Sequence, residues 1–229
     1  MDLNLHSIAT IRSCYKEKFG TPRQPGLISS SEAVIEFNEP YNNSDYFREL
    51  ESFSHLWIIF IFHLHIGKPV KATVRPPRLG GNKRLGVFAS RSPFRPNPVG
   101  LSVVKIEDIK TDSHGIKIYV SGIDIIDETP VIDIKPYIPY TDSIPAAEAA
   151  YANHAPEFKL TVDYSESALK SLAEIEKDHE HFRQLITETI ALDPRPAYSD
   201  DEGEYGVSLY DYNIRWTVNH MQALVTSIE

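Results

Sequence analysis

The proline-rich run at positions 91–102, RSPFRPNPVGLS, holds the residues best suited to do chemistry. Its three prolines fix φ and remove backbone donors, so we expect neither a helix nor a central strand. Arg91 and Arg95 lie within it, and rigidly held guanidinium groups suit a planar carboxylate or a phosphate. A segment that is already stiff loses little entropy on binding. The alternative is a proline-rich turn with solvated arginines.

The charge around this run favours an anionic partner. The chain is acidic, with 23 Lys+Arg, 32 Asp+Glu and a net charge of -9. Between Glu51 and Glu107 there is no acidic residue. A basic surface on an acidic protein indicates a polyanion such as a nucleic acid. Pairing between a positive and a negative half of the chain is the alternative. The basic residues of this interval are Lys68, Lys71, Arg75, Arg78, Lys83, Arg84, Arg91, Arg95 and Lys105.

A second candidate segment is acidic. Asp124, Asp127 and Asp133 lie among isoleucines and valines, where a carboxylate is costly unless it is paired or functional. The turn at 127–130, DETP, offers carboxylates and backbone groups to a ribose, an amine or a sulfonium. The alternative is a turn between strands in which Asp133 pairs with Lys135 or an arginine.

Several familiar chemistries are missing from the sequence. It has no G-x-G-x-x-G, no Walker A segment, no G-x-S-x-G and no H-E-x-x-H. Cys14 is the single cysteine, which excludes an internal disulfide and a thiolate metal cluster. His63 and His65 would share one face of a strand, but no third ligand is near, so we expect packing or substrate contact and no metal.

Length and composition limit the number of domains and the expected location of the protein. The 229 residues suit one large domain or two smaller ones. The longest apolar run, at 56–62, is too short to span a bilayer, so we expect no membrane partner. The N-terminal residues lack the basic start and apolar stretch of a signal peptide. With one cysteine, the expected location is the reducing cytoplasm.

Positions 1–150 predict a β-rich domain. Short β-branched or aromatic segments bounded by turn residues recur along it, and such spacing favours a closed or nearly closed antiparallel barrel. One helix is predicted at 43–50, capped by Asn43 or Ser44. Further along the chain, Pro136, Pro139, Pro145 and Pro156 mark a linker. The predicted strands are 5–12, 33–37, 56–63, 85–89, 102–109, 116–121 and 131–134.

Positions 157–229 predict a small α+β domain, which makes the chain mainly β and α+β overall. We expect a strand at 158–164 and a helix from the N-cap Ser165 to about 192. The apolar spacing slips near 178–181, which indicates two helices. Closing strands are predicted at 207–216 and 223–228.

Seven blocks spread in order over nearly the whole chain carry a family resemblance. They are YKEKF at 15–19, PRQPG at 22–26, FSHLW at 53–57, RPPRLGGN at 75–82, the run at 91–102, DIKPY at 133–137 and DPRPAY at 193–198. In this combination the sequence closely resembles the TsaA/TrmO family of S-adenosylmethionine-dependent tRNA methyltransferases. The resemblance implies a β-barrel methyltransferase domain followed by a small C-terminal domain.

The resemblance also implies an activity. Such enzymes methylate N6 of the threonylcarbamoyladenosine at position 37 of tRNA, next to the anticodon, and work as homodimers. The family's acidic turn is Asp-Gly-Thr-Pro, whereas Glu128 replaces the glycine here. If the site needs φ > 0, this replacement is unfavourable. The cofactor positions implied are Arg23, Gln24, Pro25, His63, Leu64, Arg91, Leu101, Asp127, Glu128, Thr129 and Pro130.

Residue chemistry suggests roles within that framework. Arg23 or Arg91 would take the cofactor carboxylate, Asp127 the ribose or ammonium, and Leu101 with Pro25 the adenine. The ureido N6 needs a base or a polarising contact, for which His63 and Asp127 are the candidates.

The RNA side has its own candidates. Arg95 would take the threonyl carboxylate, and Phe94 and Tyr198 would stack on bases. Two other functions stay open: an RNA- or anion-binding module without catalysis, and a methyltransferase for a small adenosine-like molecule. The remaining substrate candidates are Arg75, Arg78, Lys83 and Arg84 for phosphates, with Asn97 and Arg195.

Overall fold

Six antiparallel strands close into a barrel in a computed structural model that describes residues 4–113, 115–195 and 202–229. The barrel order is β1-β2-β7-β6-β3-β8. Within the described residues the strands are β1 Ala9–Ser13, β2 Glu32–Phe37, β3 His55–Ile61, β4 Thr73–Val74, β5 Leu85–Gly86, β6 Val99–Asp112, β7 Gly115–Ser121, β8 Pro130–Pro136, β9 Thr161–Tyr164, β10 Gly203–Leu209, β11 Tyr212–Asn219 and β12 Gln222–Ile228. The α-helices are α1 Pro139–Asp142, α2 Glu166–Ile175 and α3 Phe182–Ala191.

Alternating side chains fill the barrel. Ile11, Ile35, Ile58 and Ile118 come from four strands, and each is 0% exposed. The strands alternate buried and more exposed positions, as a sheet with one face on a core requires. The predicted mainly β fold with an antiparallel barrel is therefore confirmed.

The strand register brings three chain segments to one rim of the barrel. In this register, β1, β3 and β7 end where β2, β6 and β8 begin. The connections 14–31, 62–98 and 122–129 therefore leave from the same rim. The register pairs that show it are Ser13↔Ala33, Ile61↔Val99, Glu32↔Ser121 and Phe60↔Val131.

The C-terminal residues form a second sheet, in the order β10-β11-β12-β9, with β9 parallel to β12. This sheet packs on the 14–31 connection. Tyr15 bridges to Leu209, the Tyr210 N–H donates to the Cys14 carbonyl (2.7 Å), and Phe19 stacks on Trp216 at 6.0 Å. One hydrophobic cluster runs from the barrel into this sheet. Among the described helices, none has the length and apolar character needed to cross a bilayer.

The helix caps and the second helix were predicted correctly, because they depend on residues close together in the sequence. Ser165 caps α2 by accepting from the Ala168 N–H (3.1 Å), and the predicted second helix exists as α3. Asn43 caps as expected, by accepting from the Asp45 N–H (3.0 Å), but it caps a short 3-10 turn. The 3-10 turns among the described residues are Ser44–Phe47, Leu50–Ser52, His63–His65, Pro77–Leu79, Val87–Ala89 and Ala150–Ala152.

Three predictions of extended structure and one prediction of irregular structure were wrong. The predicted strand 207–216 is the hairpin of β10 and β11, which turns at Tyr210 with φ 50°. The predicted strand 85–89 is β5 followed by a 3-10 turn. β3 ends at Ile61, so His63 and His65 lie in a 3-10 turn and do not share a strand face. The run 91–102 is irregular only as far as Pro98, because β6 starts at Val99 and pairs with β3.

Gly100 makes that last pairing possible. It is buried, and a Cβ at this position would overlap the Phe60 ring. We expect Gly100→Ala to lower the free energy of unfolding by about 1–3 kcal/mol, as overpacking of a core does. Urea unfolding checks this, with Gly86→Ala as the control because no atom lies within 4 Å of its added Cβ. Equal stability of the two variants would contradict the role of Gly100.

Candidate active site

The acidic turn is tied to the end of β1. The Ser13 N–H donates to Asp127 Oδ1 (2.9 Å), and Lys16 Nζ lies 2.8 Å from Asp127 Oδ2. The Asp127 N–H in turn donates to the Tyr15 carbonyl (2.8 Å). Both oxygens of this carboxylate therefore have hydrogen-bond donors within the protein, and these hold the turn in place.

Glu128 occupies the left-handed region. Its φ is 60°, the conformation in which the family glycine is expected. A side chain there is unfavourable by roughly 1–2 kcal/mol. Its carboxylate is 3.5 Å from Arg12 Nη1, and the side chain is 74% exposed. Glu128 therefore adds a negative charge at the surface of the rim.

His63 contacts this turn through Thr129. Thr129 Oγ1 donates to the Ile126 carbonyl (2.6 Å) and lies 3.2 Å from His63 Nδ1. Since the single hydroxyl proton goes to Ile126, Nδ1 must be the donor to Thr129, which leaves the Nε2 lone pair free to accept a proton. Burial lowers the pKa of His63, partly offset by Glu128, so the imidazole is neutral near pH 7.

Arg91 meets the 22–26 segment. Arg91 Nη1 donates to Gln24 Oε1 (2.5 Å), and the Gly26 N–H donates to the Gly122 carbonyl (2.9 Å). Burial lowers the pKa of Arg23. Neither arginine has a carboxylate within 4.0 Å among the described residues, so neither forms an ion pair there.

Asp124 belongs to the acidic segment noted in the sequence but was not among the implied cofactor positions. Ser102 Oγ donates to Asp124 Oδ1 (2.6 Å). Burial raises the pKa of Asp124 to about 6, against the opposing effects of Ser102 and of the Arg91 charge. The apolar flanks of Asp124 were the available signal, but they are shared by Asp133, which forms the alternative ion pair with Lys135 (2.7 Å).

Apolar surface completes the rim. Leu64 is 43% exposed and Leu101 is 52% exposed, whereas Pro25 and Pro130 are half-buried. Exposed leucines at a rim with arginines and carboxylates suit a ligand with both an apolar and a charged part.

The substrate candidates are less uniform. Arg75, Lys83 and Arg84 are exposed on the 62–98 connection. Arg78 Nη2 donates to the His154 carbonyl, which ties this connection to the residues before the C-terminal sheet. Asn97 is exposed.

Two arginine candidates are engaged within the protein. Arg95 Nη1 donates to the carbonyls of Ser90 (3.1 Å) and Ser92 (3.3 Å). Arg195 makes a two-pronged ion pair with Asp193, and its side chain is only 8% exposed. Tyr198 lies outside the described residues. Phe94 is half-buried and stands edge-on to His65 at 4.8 Å.

Comparison with known proteins agrees with this geometry. The model of the tRNA-methyltransferase O N-terminal domain matches residues 10–143, and the TrmO C-terminal domain matches 157–229. The chain belongs to the TrmO family. The chain is 45% identical over 225 residues to "tRNA (adenine(37)-N6)-methyltransferase" of Escherichia coli, covering 97% of this chain and 96% of that protein.

Other members of the TrmO family are similar over the same length. The chain is 40% identical to a "Putative S-adenosylmethionine-dependent methyltransferase RcsF" of Pseudomonas aeruginosa, covering 94% of this chain and 93% of that one. A crystal structure of TrmO from Pseudomonas aeruginosa superposes with a TM-score of 0.84 at 33% identity, covering 100% and 99% of the two chains. The predicted family is confirmed.

The carboxylate of Asp124 gives a pH-dependent prediction. Its pKa, raised from 3.8 to about 6 in the folded state, means that the protonated carboxyl stabilises the fold fully below pH 3.8 and loses this effect as the pH rises through about 6. An asparagine side chain at this position would keep the neutral shape at every pH. We therefore expect the unfolding free energy of wild type, relative to Asp124→Asn, to fall by about 1–3 kcal/mol between about pH 4 and 7.

Urea unfolding across that pH range tests the prediction. Asp133→Asn is the matched control, because Asp133 is ion-paired at the surface. A difference between wild type and Asp124→Asn that stays constant with pH would contradict a buried, proton-binding Asp124.

Proposed function

We propose that this protein transfers a methyl group from S-adenosylmethionine to N6 of threonylcarbamoyladenosine at position 37 of tRNA. One observation carries the proposal: the register of the barrel brings the segments 22–26, 63–64, 91–101 and 124–130 to a single rim. The basic 62–98 connection leaves from that same rim. A methyl-donor site beside an RNA-binding surface is the arrangement that this reaction needs.

The residues present suit a methyl donor that carries an amino acid and a nucleoside. When bound, S-adenosylmethionine supplies an electrophilic methyl group on a sulfonium. Arg91, oriented by Gln24 at 2.5 Å, and Arg23 would hold the carboxylate. Asp124 would face the ammonium or ribose, and Leu101 with Pro25 would wall the adenine. The enzyme then mainly aligns the reactants and excludes water.

His63 is the better of the two base candidates. Both Asp127 oxygens have donors, whereas Nε2 of His63 keeps its lone pair and Nδ1 is fixed by Thr129 (3.2 Å). Nε2 would accept the N6 proton as the methyl group transfers. Burial lowers the His63 pKa, and the nearby Glu128 carboxylate offsets part of that effect.

The 62–98 connection would hold the RNA backbone through Arg75, Lys83 and Arg84. A small nucleoside would not require this stretch of basic residues, which favours tRNA as the substrate. The proposal includes a cytoplasmic location. It also includes a homodimer, and light scattering in solution would test that oligomeric state.

The deciding experiment is transfer of labelled methyl from S-adenosylmethionine to total tRNA. We expect labelled N6-methyl-N6-threonylcarbamoyladenosine from tRNA that carries the threonylcarbamoyl group and none from tRNA prepared without it. Cofactor binding without transfer to any tRNA would favour a binding module, and transfer only to free nucleosides would favour a small-molecule methyltransferase.

Arg91→Ala tests the cofactor role. Loss of a hydrogen bond to a charged group removes about 1.5–3 kcal/mol, so we expect the dissociation constant for S-adenosylmethionine to rise roughly 10- to 100-fold. Calorimetry measures it. Arg48→Ala is the control, because Arg48 pairs with Asp45 (2.7 Å) at the opposite rim. Unchanged affinity of Arg91→Ala would remove Arg91 from the cofactor site.

His63→Gln tests the base. We expect methyl transfer at saturating substrates to fall by about 10²–10⁴-fold, the usual effect of a general base. In wild type the rate should decline on the acid side as His63 becomes protonated, below pH 6.5 because its pKa is lowered from that value. The variant should lack this decline. A wild-type acid limb that persists in His63→Gln would assign the proton to another group.

A further inference from the structure

A second basic cluster lies beside the rim, where Lys18 meets His65. Lys18 Nζ is 3.1 Å from His65 Nε2. An ammonium has protons to donate and no lone pair, so Nε2 must accept and the proton of the neutral imidazole must be on Nδ1. His65 therefore orients the Lys18 ammonium without neutralising its charge.

Lys16 shows the opposite arrangement two residues earlier. Its ammonium pairs with Asp127 Oδ2 at 2.8 Å, so that charge is balanced within the protein. Lys18 has no carboxylate within 4.0 Å among the described residues. The same connection thus carries one balanced and one unbalanced lysine, and the unbalanced one is exposed.

Two more lysines surround the same imidazole. Lys71 Nζ lies over the Phe94 ring at 4.0 Å, and the Lys68 N–H donates to the His65 carbonyl (3.1 Å). Burial lowers the pKa of His65, and the charges of Lys18, Lys68 and Lys71 lower it further. Burial also lowers the pKa of Lys18, and the charge of Lys68 adds to that effect. Lys18 and Lys71 are thus placed by direct contacts with His65 and with the adjoining Phe94 ring, and Lys68 adds a third like charge from the same turn.

The support for these lysines is rigid. His65 is 7% exposed and packs edge-on against Phe94 at 4.8 Å and Phe62 at 6.4 Å. The Lys71 N–H donates to the Phe94 carbonyl (3.0 Å). Mutually repelling ammonium groups held together without a counter-charge are unfavourable alone and become favourable when an anion binds.

We propose that Lys18, Lys68 and Lys71 form an anion subsite, positioned by His65 and Phe94, for an anionic oxygen group of the substrate RNA. The group is either a phosphodiester or the carboxylate of the threonylcarbamoyl modification. The inference rests on the proposed function and deepens it. His63, the base candidate, lies two residues before His65 in the same 3-10 turn, so the subsite adjoins the base candidate.

This subsite offers positive charges in addition to that of Arg95, the residue expected to take the threonyl carboxylate. Arg95 Nη1 donates to carbonyls of its own loop, and so acts as an internal brace of the proline-rich run. Compact ammonium groups suit a single oxygen anion reached from several directions. The prolines of the run therefore hold Phe94 against His65, and through it the lysines.

The test measures binding of an anticodon stem-loop RNA, with and without the threonylcarbamoyl group, to wild type and Lys18→Gln over a range of salt. If a phosphate is bound, the affinity for both RNAs should fall by about 3- to 10-fold. The slope of log affinity against log salt concentration should become shallower by about 0.7–0.9. If the carboxylate is bound, only the affinity for the modified RNA should fall. Lys105→Gln is the control, because Lys105 pairs with Glu107 (2.8 Å).

A Lys18→Gln variant that binds both RNAs like Lys105→Gln would overturn the subsite. The positioning role of His65 is tested separately: glutamine keeps an acceptor, so His65→Gln should retain most of the affinity that His65→Leu loses. Equal loss in two folded variants would reject that role. Methylation by wild type is measured in parallel, and its failure would count against the proposed function rather than the subsite.

Discussion

Closure of the barrel depends on the same hydrogen bonds that build the candidate active site. β1 and β8 share only two register pairs, Ala9↔Val131 and Thr10↔Pro130. The seam continues beyond them, where the Ile11 N–H donates to the Thr129 carbonyl and the Glu128 N–H to the Ile11 carbonyl. The acidic turn is thus the last part of the ladder. A change that displaces this turn would open the barrel, so the position of the site is as stable as the fold.

Neutral acceptors orient cations at this rim. Gln24 accepts from Arg91, and His65 accepts from Lys18. A carboxylate in either place would hold the cation equally well but would cancel its charge, as Asp127 does for Lys16. Neutral partners therefore supply direction and leave the positive charge for an anion. For Arg91 and Lys18, orientation and charge are therefore provided by different residues.

The features that the sequence predicted are those with local causes. Alternating apolar residues in β7 and the cap at Ser165 depend on neighbours in the chain, and both were foreseen. The turn at Tyr210 was not, because the apolar pattern runs through it without a glycine or proline. Asp124 and Asp133 have the same flanks but opposite environments, and only the tertiary fold distinguishes them. For the same reason the sequence could not separate the balanced Lys16 from the unbalanced Lys18.

The C-terminal sheet stabilises a segment that it does not itself supply. Glu188 of α3 accepts from Ser29 Oγ (3.3 Å) and Ser30 Oγ (2.9 Å), and Gln184 donates to the same carboxylate (2.8 Å). Gly20 is closely packed against Val207. The 14–31 connection, which carries Arg23 and Gln24, is therefore held between the barrel and this sheet. A long connection without regular structure has a high entropic cost of ordering, and the second sheet offsets it. The C-terminal part of the chain thus serves the site by fixing the loop that meets Arg91.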